Sequence, residues 1–150
     1  DNLAFKMFDV GRNGRPAFWC NRKDMARNAD RLIAEFNVKT TSPDARIASL
    51  SGGNVQRAVL GRELTGEVNA LIISNPCFGL DFGAVSAIRD RIIEARNNGT
   101  AVLLISEDLD EIMELSDRIL VMSEGRIAFE TTAAAADLTE IGQHMAGHAA

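Results

Sequence analysis

The strongest constraint on the fold lies mid-chain, where two short apolar runs flank one helical pattern. Ala70-Leu71-Ile72-Ile73-Ser74 and Ala101-Val102-Leu103-Leu104-Ile105 are nearly continuous in apolar residues and bounded by polar ones. Such runs suit strands buried on both faces of a parallel sheet. Between them, Ala84 to Arg96 sets Val85, Ile88, Ile92 and Ala95 at helical spacing and closes on Asn97-Asn98-Gly99. Strand, helix, strand in that order makes the core α/β with a mainly parallel sheet. The loop from Asn75 to Gly83 contains Pro76 and Gly79, and Asp81 is placed to cap the helix after it.

The flanking segments follow from the same signals. Asn21 with Asp24 predicts a helix running to about Phe36, with Met25, Ala29, Leu32, Ile33 and Phe36 on one face. Val38 to Ser49 reads as a polar connector containing Pro43. After the second strand, Asp108 with Glu111 caps a short helix carrying Leu109, Ile112 and Leu115. Ile119–Met122 and Arg126–Phe129, joined by Ser123-Glu124-Gly125, form a hairpin. The alanine-rich tail from Thr131 has helix propensity, and Leu138, Ile141 and Met145 continue that helix.

The connector delivers the chain to Leu50-Ser51-Gly52-Gly53-Asn54-Val55-Gln56-Arg57, a glycine-rich loop opening into a helix with Val55, Val59 and Leu60 near one apolar face and a stop at Thr65-Gly66. A helix N-terminus carries unpaired N–H groups and the positive end of the macrodipole, so it attracts anions. Two glycines let a phosphate approach the backbone, and Ser51 adds a hydroxyl donor. An ordinary Ser-capped helix after a turn has the same local sequence.

Composition narrows the function classes. The 150 residues are 46% hydrophobic and 25% charged, with a net charge of −5, ordinary for a globular chain and against general nucleic-acid binding. Residues 1–50 hold nine Lys/Arg against six Asp/Glu, and residues 51–150 hold seven against fifteen. The basic first part also carries Phe5, Phe8, Phe18 and Trp19 beside Lys6, Arg12 and Arg15, a pattern for local packing or for meeting another protein. Cys20 and Cys77 make neither a disulfide framework nor a metal site. No apolar run approaches the ~18 residues of a membrane span, so a cytoplasmic or cytoplasm-facing place is expected. Asp1 opens the chain without Met, as a fragment does.

Together these blocks resemble the second half of an ABC-type ATPase domain, the nucleotide-binding engine of ATP-driven transporters. Leu50-Ser51-Gly52-Gly53-Asn54 is similar to its signature loop, and Asn at the last position resembles the tandem-domain sugar and nucleoside importers. Leu71 to Asp81, LIISNPCFGLD, stands where that family has its Walker B strand and D-loop (Gly79, Leu80, Asp81). Leu103 to Glu111, LLISEDLDE, stands at the H-loop strand, and Leu115 to Ile127 at the hairpin after it. The resemblance covers about residues 1–147 in order. It implies the C-terminal part of a P-loop NTPase domain: a helical subdomain portion at 1–50, an ATPase core portion at 51–130 and a helical tail at 131–150.

The departures from the family pattern carry as much information. The chain contains no G-x-x-x-x-G-K-[ST], the loop that cradles phosphates. Where the resemblance places an Asp for Mg²⁺ and a Glu for the attacking water, this chain has Ser74 and Asn75, and Glu107 stands in place of the switch histidine. Neither Ser74 nor Asn75 carries a charge for a metal or a base for water, and Glu107 would repel a γ-phosphate. No catalytic residue and no metal ligand is therefore expected.

What remains is a donor half-site. The resemblance implies that Leu50, Ser51, Gly52, Gly53 and Asn54 contact ATP held by a partner ATPase domain, the first half of the same polypeptide, with Mg²⁺ only through the partner's site. The D-loop would sit beside the partner's P-loop. A transmembrane permease subunit, docked by residues 1–36, is the second implied partner, placing the protein peripherally on the cytoplasmic side of the membrane. In the family a P-loop strand lies between the H-loop strand and the hairpin; without it, the apolar face stays uncovered, and the isolated fragment is expected to self-associate or to shift its hairpin. A different class of function fits the same residues: an interaction module that holds a transporter subunit and touches no nucleotide. His144 and His148 have i,i+4 spacing but flank Gly147, which disfavours a metal site, Cys77 reads as packing, and Arg57 and Arg62 read as solvated or ion-paired.

Overall fold

The computed structural model describes Leu3 and residues 22–147. Phe5, Phe8, Phe18, Trp19, Cys20, the capping Asn21 and His148 lie outside the described residues, as does most of the segment assigned to permease docking. The elements are α1 (Arg22–Glu35), α2 (Gly52–Glu63), β1 (Ala70–Ser74), α3 (Phe82–Asn97), β2 (Ala101–Ile105), α4 (Leu109–Leu115), β3 (Arg118–Ser123), β4 (Arg126–Thr132) and α5 (Leu138–Met145), with 3-10 turns at Ile47–Ser49 and Ala133–Ala135. β1 pairs with β2, and β3 with β4, as two separate two-stranded sheets. The described residues divide into two compact units, one of residues 22–71 and 76–103, the other of residues 72–75 and 104–147.

The first unit is built on three helices. α1 turns Ala29 and Leu32 inward, with Phe36 following just past its end, as the helical spacing predicts. α3 buries Ala84, Ile88, Ile92 and Ala95, with Val85 only half-buried. Burying Ile88 and Ile92 stabilises the unit by roughly 1.5–3 kcal/mol each. α2 departs from the expected face: Ala58, Leu60 and Gly61 are buried and Val59 is exposed. Gly61 explains the rotation, because a Cβ there would lie 2.8 Å from the Phe36 ring. Phe36 sits on the bare glycine, its other side covered by the Arg91 guanidinium 4.8 Å from the ring centroid, and Arg91 also donates to the Glu35 carbonyl.

The strands correct the expectation of burial on both faces. In β1 Leu71 is buried and Ile73 half-buried, while Ala70, Ile72 and Ser74 are exposed, Ile72 at 71%. β2 alternates likewise, with Leu103 and Ile105 about half exposed (52% and 51%). The described residues cover only one face of each strand, so an all-apolar run reads out as a two-period pattern. The pairing is parallel at both ends: Ala101 N donates to Asn69 O (2.9 Å), and Asn75 N to Ile105 O (2.8 Å).

In the second unit the hairpin is longer than predicted, with Arg118 opposite Thr132 and an irregularity between Val121 and Met122. Ile119, Val121 and Ile141 form its core, with Leu109, Ile112, Met113 and Phe129 against them. The alanine-rich tail is also corrected. β4 runs to Thr132, one 3-10 turn follows, and α5 begins only after Asp137. Strand pairing holds Thr131 and Thr132, overriding the local helix propensity. Asp137 accepts from the amides of Glu140 and Thr139, which hold its carboxyl below the usual carboxylate range. The expected cap at α4 is present: Asp108 accepts from Asp110 N and Glu111 N.

Candidate functional site

The Leu50–Asn54 loop leaves the Ile47–Ser49 turn through a bond from Leu50 N to Ile47 O (3.1 Å). The helix starts at Gly52, so that both glycines lie in its first turn, and Ser51 occupies the N-cap with φ −68° and ψ 158°. The first helical bond runs from Val55 N to Ser51 O (3.0 Å). The amides of Gly52, Gly53 and Asn54 therefore precede the hydrogen-bonded ladder, and the Ser51 side chain does not cap them. Ser51 Oγ instead accepts from Asn54 Nδ2 (2.8 Å), which leaves its hydroxyl proton to be donated elsewhere. Asn54 Oδ1 accepts from Lys39 N (2.6 Å), so the same amide side chain ties the loop to the connector. Ser51 and Gly52 are exposed; Leu50, Gly53 and Asn54 are half-buried.

The structure brings Leu80, of the Gly79–Asp81 segment expected to be a D-loop, against this loop. Gly79, at φ +71°, makes the turn that a side chain would strain. Leu80 N donates to Cys77 O (3.3 Å), and Asp81 caps α3 by accepting from Ala84 N (2.9 Å). A Cβ on Gly53 would lie 3.1 Å from Ala84 Cβ and 3.7 Å from Leu80 Cδ2, and one on Gly52 would lie 3.9 Å from the same Leu80 atom. A Cβ on Gly53 would therefore crowd the start of α3, a packing role beside the amide access expected from the sequence.

Arg57 is half-buried and reaches two backbone carbonyls: Nη1 donates to Asn37 O (3.1 Å) and Nη2 to Gly83 O (3.2 Å). Asn37, at φ 49°, turns the chain beyond α1. An Asn after a helical pattern is a signal for that turn, but no sequence pattern tells which cation reaches its carbonyl. Arg62 pairs with the adjacent Glu63. Cys77 is half-buried with Sγ 4.0 Å from Val85 O, consistent with packing.

Ser74, Asn75 and Glu107 lie in the second unit. Ser74 ends β1 and is exposed, as is Glu107. Asn75 takes φ 44°, donates its amide to Ile105 O and accepts from Glu107 N at its Oδ1 (3.3 Å). Asn75 and Glu107 are therefore brought together, though by an amide–backbone bond and not through the Glu107 carboxylate. Pro76, fully buried, follows. His144 stacks on Phe129, ring centroids 4.5 Å apart. Among the described residues, no three or more His, Cys, Asp or Glu gather as a cation site, and no helix is long and apolar enough to cross a membrane.

The donor set of the Leu50–Asn54 loop fits an anionic oxygen: three free amides on a helix N-terminus and a hydroxyl. Ser74 and Asn75 fit Mg²⁺ poorly, because neither is a carboxylate and the Asn75 carbonyl oxygen is already engaged.

No protein-family model matches the chain. Among curated proteins it is 43% identical over 148 residues, 97% of its length, to the glucose import ATP-binding protein TsgD13 of Haloferax volcanii, of which it covers 27%. It is 42% identical over 85% of its length to the guanosine import ATP-binding protein NupO of Bacillus subtilis, covering 25% of that protein. An arabinose import ATP-binding protein, AraG of Pseudomonas savastanoi, is 46% identical over 77% of the chain, which covers 23% of it. The chain thus spans about a quarter of the length of the curated relatives it matches. Among solved structures, the dimeric ABC transporter cassette MJ0796 aligns with a TM-score of 0.68 at 17% identity, over 87% of this chain and 53% of that one. The cassette MJ1267 aligns with a TM-score of 0.67 at 20% identity, over 97% and 58%. The chain's homologues are thus ATP-binding proteins of sugar and nucleoside import, and its fold is that of part of an ABC ATPase cassette.

Proposed function

We propose that this chain donates its signature loop to ATP held by a partner ATPase domain and does not hydrolyse ATP with its own residues. The reading rests above all on the start of α2. Ser51 holds the N-cap without capping, so the Gly52, Gly53 and Asn54 amides and the Ser51 hydroxyl stay available to an outside anion. Leu50 seats the loop, and Gly79-Leu80-Asp81 packs beside it as the D-loop. ATP is then a shared ligand, with Mg²⁺ held on the partner's side. The partner is the first half of the same polypeptide, and a transmembrane permease subunit is the second contact, with the protein lying peripherally on the cytoplasmic side of the membrane. The names of the relatives support sugar or nucleoside import as the work of the whole protein.

Hydrolysis by this half is disfavoured by the chemistry at Ser74, Asn75 and Glu107. A hydroxyl and an engaged amide supply no base for water. Titration calorimetry with Mg-ATP tests the reading: the chain alone should give no measurable heat, and adding a P-loop-bearing partner domain should create ATP-dependent association. Low-micromolar binding by the chain alone would overturn it.

A further inference from the structure

We propose that Arg57 is a positioning residue that locks the signature loop and the D-loop into one register, so that both meet a partner-held nucleotide together. The inference rests on the donor reading above. Arg57 belongs to the helix whose first residues are the signature glycines, yet its guanidinium bonds outside that helix. One nitrogen donates to Asn37 O (3.1 Å), just past α1, and another to Gly83 O (3.2 Å), two residues beyond the D-loop's Asp81. A cation near the C-terminal end of α1 is favoured by the helix dipole. Arg57 Nε is buried without a hydrogen-bond partner, so the guanidinium reaches its two carbonyls through the Nη atoms.

The same joint is closed a second time on the loop side. Gly53 lies so near α3 that a Cβ on it would come 3.1 Å from Ala84 Cβ. The start of α2 and the start of α3 therefore meet at one steric contact, Gly53 with Ala84, and one polar contact, Arg57 with Gly83. A single contact would leave a hinge between the loops, whereas two fix their rotation. An ammonium is a point donor on a flexible stem and cannot reproduce a planar fork spread over two carbonyls.

The test uses the full-length importer ATPase with Ser51→Arg, Arg57→Gln, Arg57→Lys, Asp81→Ala and the double variant Arg57→Gln/Asp81→Ala. Arg57→Gln is expected to lower kcat for ATP about tenfold or more while KM moves less than threefold, because the partner holds the nucleotide. Arg57→Lys should recover less than half of that loss. The double variant should be no worse than the weaker single variant within about twofold, as residues acting through one joint are not additive. The proposal is overturned if Arg57→Gln keeps kcat within twofold of the parent while Ser51→Arg abolishes hydrolysis. Full rescue by lysine, multiplicative losses in the double variant, or a loss matched by an equal loss of folded protein overturn it as well. If Ser51→Arg hydrolyses ATP normally, the donor reading fails first and carries this inference with it.

Discussion

Two loops at the ends of secondary-structure elements treat their polar groups in opposite ways. At Ser51–Asn54 the backbone donors face outward: three amides precede the helical ladder and the serine hydroxyl caps none of them. At Asn75 the polar groups are spent internally, the amide on Ile105 O and the side-chain oxygen on Glu107 N. Both loops are polar in sequence, and both stand where the family resemblance places nucleotide contacts. The difference teaches that residue identity locates a site, whereas the hydrogen-bond accounting around it says what the site can still offer. The first loop keeps donors for an anion. The second has become a brace.

The largest effect that would break this contrast without touching a donor atom comes from Gly53. Gly53→Val puts carbon where only 3.1 Å separates the site from Ala84 Cβ, so the start of α3 must shift away from the Ser51–Asn54 loop. ATP turnover of the full-length protein should fall by tenfold or more, about 1.4 kcal/mol, with the fold retained by circular dichroism. A variant turning over ATP within twofold of the parent would show that the two loops need not touch. Asp81→Ala removes the acceptor for Ala84 N and should cost about 1 kcal/mol of stability, read by urea denaturation. Its effect on turnover should be smaller than that of Gly53→Val, since the Gly53–Ala84 contact survives.

The smallest effect lies in the second unit and depends on pH. Asp137 has its carboxyl lowered by the amides of Glu140 and Thr139, so the charged form favours the folded state. That contribution is present above the unfolded carboxylate range, about pH 4, and is lost as pH falls through the lowered folded value. Asp137→Asn keeps an acceptor oxygen and should flatten this acid limb of α5 stability, with almost no change at neutral pH. Amide exchange along α5 measured between neutral and acid pH checks it; an unchanged acid limb in the variant would remove Asp137 from the account.

Much of this was legible in the residues, for local reasons. The caps at Asp81 and Asp108 and the buried stripe Ile88, Ile92, Ala95 depend on neighbours within a few positions, and sequence spacing carries that information. The hairpin followed from its Ser123-Glu124-Gly125 turn. What sequence did not reveal depends on tertiary neighbours. Ile72 and Leu103 are as apolar as Leu71, and only the presence or absence of a covering element decides which are exposed. The apolar pattern points Val59 inward, but Phe36 seats on Gly61 and sets the face. Thr131 and Thr132 extend β4 because partners on β3 are waiting, a fact no helix propensity records. At the site, the residues of both loops were recognisable, but the two carbonyls held by Arg57 come from segments 20 and 26 residues away and leave no local trace.

The contrast between the two loops is tested most directly by steady-state ATP hydrolysis of the full-length protein carrying Ser51→Arg or Asn75→Glu. Ser51→Arg places a long side chain at the exposed N-cap and should reduce turnover by on the order of a hundredfold or more. Asn75→Glu introduces a carboxylate where the loop is a brace and should leave turnover within about twofold. Normal hydrolysis by Ser51→Arg would contradict the account, and so would a large gain of activity in Asn75→Glu.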